Sequence, residues 1–163
     1  MEIGTHWPTI MELFEEAFKS CMHFSMATVN EDGSPHVVPI GGLILRDNCT
    51  GFYFEEFPTR TPRNLKRNPR VAVLAVNADK IFWGKALLQG KFSQPPAVSI
   101  NGTAGELREA TPAEVDAWQK KVALTKSTKG YELLWSKMAR VRDITFDSFE
   151  PVITGEMSTG LWK

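Results

Sequence analysis

Five basic side chains, Arg60, Arg63, Lys66, Arg67 and Arg70, fall within eleven positions of this chain and surround the start of a short expected helix. Thr61 suits the N-cap, and Pro62 suits the first helical position, where its missing N–H would have had no partner. Asn68-Pro69 closes the helix about two turns later. A helix start carries unpaired N–H groups and a partial positive charge, so with Arg60 and Arg63 on either side this stretch could hold a phosphate. The same residues also suit a short connector helix whose basic surface is only solvated.

Other chemistry is sparse. The sequence holds no Gly-x-Gly-x-x-Gly, no Gly-x-x-x-x-Gly-Lys phosphate loop, no His-Glu-x-x-His and no Gly-x-Ser-x-Gly. His6, His23 and His36 are scattered over different elements with no ligand spacing, so no metal site is expected. Glu55 and Glu56 are neighbours on an expected strand, which points them to opposite faces and keeps them from acting on one substrate. With no acid, base or nucleophile set in view, an enzyme built on this chain would need a cofactor to carry its chemistry.

Charge narrows the ligand further. The formal net charge is zero, which gives no argument for a nucleic acid or an anionic membrane, whereas a local basic cluster suits a small anion. Cys21 and Cys49 make neither a metal-ligand spacing nor a Cys-x-x-Cys pair, so both read as reduced structural residues. The N-terminal residues lack a secretory pattern, and no run of 18 apolar residues occurs, so a cytoplasmic location is expected.

The elements that must position the basic cluster follow from periodicity. Thr9 to about Ser20 reads as an amphipathic helix opened by a Thr9–Glu12 capping box, with Ile10, Leu13, Phe14, Ala17, Phe18 and Cys21 on one face. Met22–Asn30 and Pro35–Arg46 read as a hairpin turned at Asp32-Gly33, with Pro39 and Gly41-Gly42 marking an edge, a bulge or a close approach. Thr50–Phe57 reads as a strand running into the basic helix, and the apolar run Arg70–Val76 as a central strand. Ile81–Gln94 reads as a long strand bent at Gly84 and Gly90, and Gln94–Gly105 as a loop. A capping box at Thr111 and Glu114 opens a further helix, Tyr131–Ala139 adds a helical turn or two, Arg140–Phe149 is the last strand and Pro151–Lys163 an irregular tail.

About six strands in hairpin order argue for a mainly β fold, an antiparallel barrel with peripheral helices, and against a doubly wound nucleotide fold. The 163 residues are expected to form a single domain, with barrel core at about 22–94 and 140–150 and a helical insertion at about 111–139.

Three stretches together resemble a known family. Ala27-Thr28-Val29-Asn30-Glu31-Asp32-Gly33-Ser34-Pro35, Val37-Val38-Pro39-Ile40 and Thr59 through Ala72 are similar, in order and spacing, to the FMN-binding split barrels related to pyridoxamine 5′-phosphate oxidase. The resemblance implies a six-stranded Greek-key split barrel and a homodimer with FMN at the subunit interface. It implies that Thr59, Arg60 and Thr61 hold the FMN phosphate, with Asn64 in support, and that Val38, Pro39, Ile40 and Gly41 line the isoalloxazine ring. It further implies that Phe54, Glu55 and Glu56 face the ribityl chain and ring, and that Trp83 and Lys85 reach across from the second subunit. Trp83 also suits a core or interface aromatic. Lys85 is the cation that could favour the reduced flavin.

The oxidase itself usually has lysine at the position of Thr61 and glutamine at that of Lys85. Its C-terminal substrate motif, an arginine and a proline after a tryptophan, is absent from Asp147–Lys163. The resemblance therefore implies a flavin-dependent oxidoreductase that keeps the cofactor and lacks the pyridoxamine phosphate site. A flavin-binding or electron-carrying module, a deazaflavin or haem relative, and a cofactor-free dimeric barrel are the other readings.

Overall fold

The first helix of the computed structural model, which describes residues 1–162, already corrects one boundary. Helix α1 (Ile3–Cys21) starts six residues before Thr9, and Pro8 lies inside it at the cost of a backbone hydrogen bond. Trp7 explains the extension. It is buried on the same face as Ile10, Leu13, Phe14, Ala17 and Phe18, and its indole N–H donates to the Arg46 carbonyl at 2.7 Å. Tertiary anchoring outweighs the local start signal.

Strands β1 (Phe24–Val29) and β2 (Pro35–Ile40) form the expected hairpin, and Gly33 takes the positive φ of +82° that its turn requires. After β3 (Leu43–Arg46) and β4 (Thr50–Phe54) come α2 (Thr61–Arg67), β5 (Arg70–Val76), α3 (Lys80–Gln89) and β6 (Ala97–Glu109). Helices α4 (Pro112–Lys121) and α5 (Lys129–Leu134) precede the last strand, β7 (Arg140–Pro151). A short 3₁₀ turn, Gly155–Ser158, follows it.

All seven strands pair antiparallel in one sheet of order β2-β1-β5-β6-β7-β4-β3. Its two edge strands, β2 and β3, are consecutive in the chain and joined only by Gly41-Gly42. Three residue steps span at most about 11 Å, so the sheet must curl until its edges approach each other. Among the described residues no ladder joins β2 to β3, and the expected six-stranded barrel is corrected to an open, curled sheet of seven strands.

The seventh strand arises because the expected strand Pro35–Arg46 breaks at Gly41-Gly42 into β2 and β3, while two further corrections offset each other in the count. Ile81–Gln94 is not a strand: the Asp79 carboxylate accepts from the Phe82 N–H at 2.7 Å, starting α3, and Gly90 ends it in the left-handed conformation. Gln94–Gly105 is mostly strand, not loop. Gly102, which reads as loop punctuation, marks a close approach of β6 to β7, because a Cβ there would sit 2.4 Å from the Thr145 carbonyl oxygen.

Met26, Val73, Ile100, Val141 and Ile144 are all essentially inaccessible and share one hydrophobic core with the buried face of α1 and the Trp118 indole of α4, which lies edge-on to Phe18. The Thr111–Glu114 capping box is present as expected. Glu114 does more than cap: with Asp143 of β7 it binds Arg46 of β3 and Arg108 of β6, so one ionic network ties α4 to three strands. Between β6 and β7 lie α4, a 3₁₀ turn at Ala123–Thr125 and α5.

Candidate functional site: a basic cleft joined to an apolar groove

The basic cluster forms a cleft of about 720 Å³ between α2 and the tip of the β1–β2 hairpin. Arg60, Arg63, Lys66 and Arg67 face Glu31 and Asp32 across it, with Asn30 and Asn64 between. The two carboxylates are already engaged. Glu31 pairs with Arg67, which lowers its carboxyl below the ordinary value, and Asp32 accepts from the Ser34 hydroxyl and N–H, which lowers it likewise. Arg60, Arg63 and Lys66 have no carboxylate partner among the described residues. Three unpaired cations around one concavity in a chain of zero net charge make a local anion site.

The helix start differs in detail from the expectation. Arg60 is the N-cap and makes no side-chain cap bond, Thr61 is the first helical residue and Pro62 the second, each one position further into the helix than expected. Thr61 is wholly inaccessible, and its Oγ1 has no hydrogen-bond partner. A buried unpartnered hydroxyl is costly, and this one stands in the chain directly after Arg60 and two residues before Arg63, although Thr61 itself does not line the cleft. Asn64 is also buried, and its Nδ2 donates to Thr28 Oγ1 and Asn30 Oδ1, both at 3.0 Å. Asn64 therefore fixes α2 against the hairpin and holds the two sides of the cleft together.

The second concavity is an apolar groove of about 330 Å³. Val38, Pro39, Ile40 and Gly41 form one wall, and Gly42 and Phe54 form the floor. Gly42 packs closely there, since a Cβ would lie 3.1 Å from the Phe54 Cβ. The opposite side is Phe57, Pro58, Leu134, Trp135 and Met138. No titratable side chain lines it. Pro58 lines the groove and Arg60 the cleft, so the exposed Thr59 alone separates them, a span of at most about 7 Å. Strand β2 runs between the same two places.

The remaining expected residues go elsewhere. Glu55 turns into the interior, where its carboxylate takes hydrogen bonds from Arg142 at 2.6 and 3.0 Å and from the Tyr53 hydroxyl. Burial, then the adjacent carboxylate, raises the Tyr53 phenol well above its ordinary value, so it stays a donor. Glu56 accepts from the N–H groups of Ala139 at 2.9 Å and Arg140 at 2.8 Å, pinning the start of β7 to the loop that carries Phe57. Strand β4 ends at Phe54, so the expected strand alternation does not apply to these two glutamates; their partners on β7 and at its start part them. Trp83 and Lys85 lie on α3, and neither lines the cleft or the groove. The Trp83 indole N–H donates to the Asn77 carbonyl at 2.6 Å, and its ring packs edge-on to Phe92.

Sequence reasoning missed the far wall. Leu134, Trp135 and Met138 read as packing residues of a helical turn, and only the sheet curl brings them to Val38–Gly41. Trp135 is set by Trp118, edge-on at 5.9 Å between ring centres, and Trp118 in turn lies 6.0 Å from Phe54.

Fold and site together define a class: a curled antiparallel sheet with flanking helices, carrying a basic cleft that opens beside an uncharged groove. The chain belongs to the pyridoxamine 5′-phosphate oxidase family, whose model matches residues 10–145. Solved structures share the fold. An FMN-binding protein from Syntrophomonas wolfei subsp. wolfei is 17% identical, with 91% of this chain and 93% of that one covered and a TM-score of 0.53. An F420 reductase is 16% identical, with coverage of 84% and 95% and a TM-score of 0.53. HutZ, the haem storage protein from Vibrio cholerae, is 17% identical, with coverage of 88% and 92% and a TM-score of 0.50. No curated protein sequence matches the chain. No described helix is long and apolar enough to cross a membrane.

Proposed function

We propose that this protein binds FMN and acts as a flavin-dependent oxidoreductase that is not a pyridoxamine phosphate oxidase. The observation that carries the reading is the buried, unpartnered Thr61 Oγ1 beside the unpaired Arg60 and Arg63, next to an uncharged groove. A phosphate would accept hydrogen bonds from the Thr61 hydroxyl and the guanidinium N–H groups, and a flat ring would lie on the Val38–Gly41 wall. Thr59 stands where the two parts of such a ligand would join. When bound, the flavin supplies hydride chemistry. The chain's own residues hold the phosphate, orient the ring and exclude water from one side of it. Membership of the family and the FMN-binding protein of the same fold support this reading.

A homodimer goes with it. Strands β1 and β2 expose Val29 and Val37 at a shallow hollow whose lining mixes Ala27, Pro35 and Ala72 with Arg70, Asn101 and Glu150, a surface that a second copy could cover. We place the protein in the cytoplasm, since Cys21 and Cys49 are both free thiols, as a reducing compartment would keep them.

The F420 reductase of similar fold favours a second reading, because a phosphate-bearing deazaflavin would use the same cations and groove. Haem fits less well: His6, His23 and His36 lie outside the lining of both cleft and groove. The absorbance spectrum of the purified protein, taken before and after addition of FMN and desalting, separates these. Retained flavin bands support the proposal, a deazaflavin or haem spectrum supports its rivals, and no retained chromophore defeats it.

A further inference from the structure

We propose that the groove selects an uncharged, flat ring compound as the protein's second ligand, seated against the Leu134–Trp135–Met138 wall. The inference rests on the flavin reading above and adds the substrate class. Its first support is charge. Every unpaired cation of the site lies in the cleft, on the far side of Thr59, and the groove holds no charged or titratable side chain. A phosphorylated or carboxylated compound would lose its hydration there with nothing to replace it. A neutral aromatic compound loses little and gains contact with Trp135, Phe54 and Phe57.

The second support is that the wall is built in advance. Trp135 on one side of the groove and Phe54 in its floor both pack on the fully buried Trp118. Below Trp135, Gln119 receives a hydrogen bond from the Tyr131 hydroxyl and donates from Nε2 to the Trp135 carbonyl at 3.4 Å. Glu56 ties the other margin, since it follows Glu55 into the loop of Phe57 and accepts from the backbone just after Met138. Glu56 is thus a positioning residue for the groove. A slot whose floor and one side rest on the same buried indole, with a carboxylate clamp at the margin of that side, is held in shape, and a fixed slot favours flat ligands over bulky ones.

The test uses purified protein loaded with FMN and desalted, with flavin content read first by absorbance. Menadione serves as the neutral flat probe and pyridoxal 5′-phosphate as the anionic flat probe, both titrated by calorimetry and by tryptophan fluorescence. The expected result is menadione binding at least about tenfold tighter than pyridoxal 5′-phosphate. Leu134→Lys, at a half-exposed rim position where a lysine can reach solvent, should keep the flavin content and reverse that preference. Trp135→Leu should weaken menadione and leave flavin content unchanged. Equal affinity for the two probes, or an unchanged preference in Leu134→Lys, overturns the proposal. Failure of the cofactor reading shows earlier and separately, as absence of flavin. The same titrations on flavin-free protein then judge the groove alone, with loss of menadione preference in Leu134→Lys upholding it and no change overturning it.

Discussion

Arg142 holds Glu55 by two hydrogen bonds inside the curled sheet, at 2.6 and 3.0 Å, with both side chains almost entirely withdrawn from water. The pair joins β7 to the residue that follows β4, and Arg142 also donates to the Gly105 carbonyl at 2.7 Å. Removing one member leaves the other charge buried and alone. Glu55→Gln should therefore destabilise by about 3 to 5 kcal/mol, measured by urea unfolding. The double variant Glu55→Leu/Arg142→Met should lose much less. A single-variant loss below about 1 kcal/mol would contradict a structural role for the pair.

Thr61 should show opposite effects with and without ligand. Thr61→Val removes a buried hydroxyl that has no partner, so the cofactor-free protein should keep or gain stability, by up to about 1 kcal/mol. The same variant should bind FMN several-fold more weakly. Thermal unfolding without ligand and an FMN titration check the two halves, and an unchanged affinity would detach Thr61 from the phosphate.

Acid should act through Glu114. Its carboxyl is held down at about 2, chiefly by hydrogen bonds from Arg108 and further by the Thr111 N–H and hydroxyl, against the opposing effect of burial. Asp143 is lowered too, first by Arg108 and then, after burial opposes, by Arg46. A folded value below the unfolded one, about 4.3, means the contribution is complete above about pH 5 and is lost as pH falls toward 2. Wild type should lose on the order of 2 kcal/mol through this group over that window, and Glu114→Gln should show a flatter acid limb. Equal acid loss in both would contradict the assignment.

Gly102→Ala should cost about 1 to 3 kcal/mol or more, because the new Cβ would meet the Thr145 backbone oxygen, which cannot move without disturbing the β6–β7 ladder. Gly84→Ala, with open space at its Cβ, should be neutral or stabilising. Comparable losses in the two variants would contradict the packing described for β6.

These residues also show what the sequence makes legible. The hairpin, β5 and the Thr111 capping box are local signals, and each appears where its residues place it. The run Lys80–Gln89 misleads because Ile81, Phe82 and Trp83 favour strands, yet Asp79 before it and Gly90 after it are helix boundary signals available without coordinates. Strand β6 is hidden because Gly102 serves a contact with β7, more than 40 positions away, that no local window contains. In the site, Arg60 is marked by the helix start, whereas Asn64 and Val38–Gly41 enter only through the family resemblance; Arg60 and Asn64 line the cleft and Val38–Gly41 the groove. Leu134, Trp135 and Met138 join the site only through the fold. Glu55 and Glu56 sit beside it in sequence, but tertiary hydrogen bonds turn both to structural work.

The most direct test of the central claim is an FMN titration of wild type and Arg60→Ala by calorimetry at matched ionic strength. Loss of one charge-assisted phosphate contact, worth about 1.5 to 3 kcal/mol, predicts affinity roughly tenfold to a hundredfold weaker in the variant. Wild type that binds no FMN, or a variant that binds it as tightly as wild type, would contradict the account.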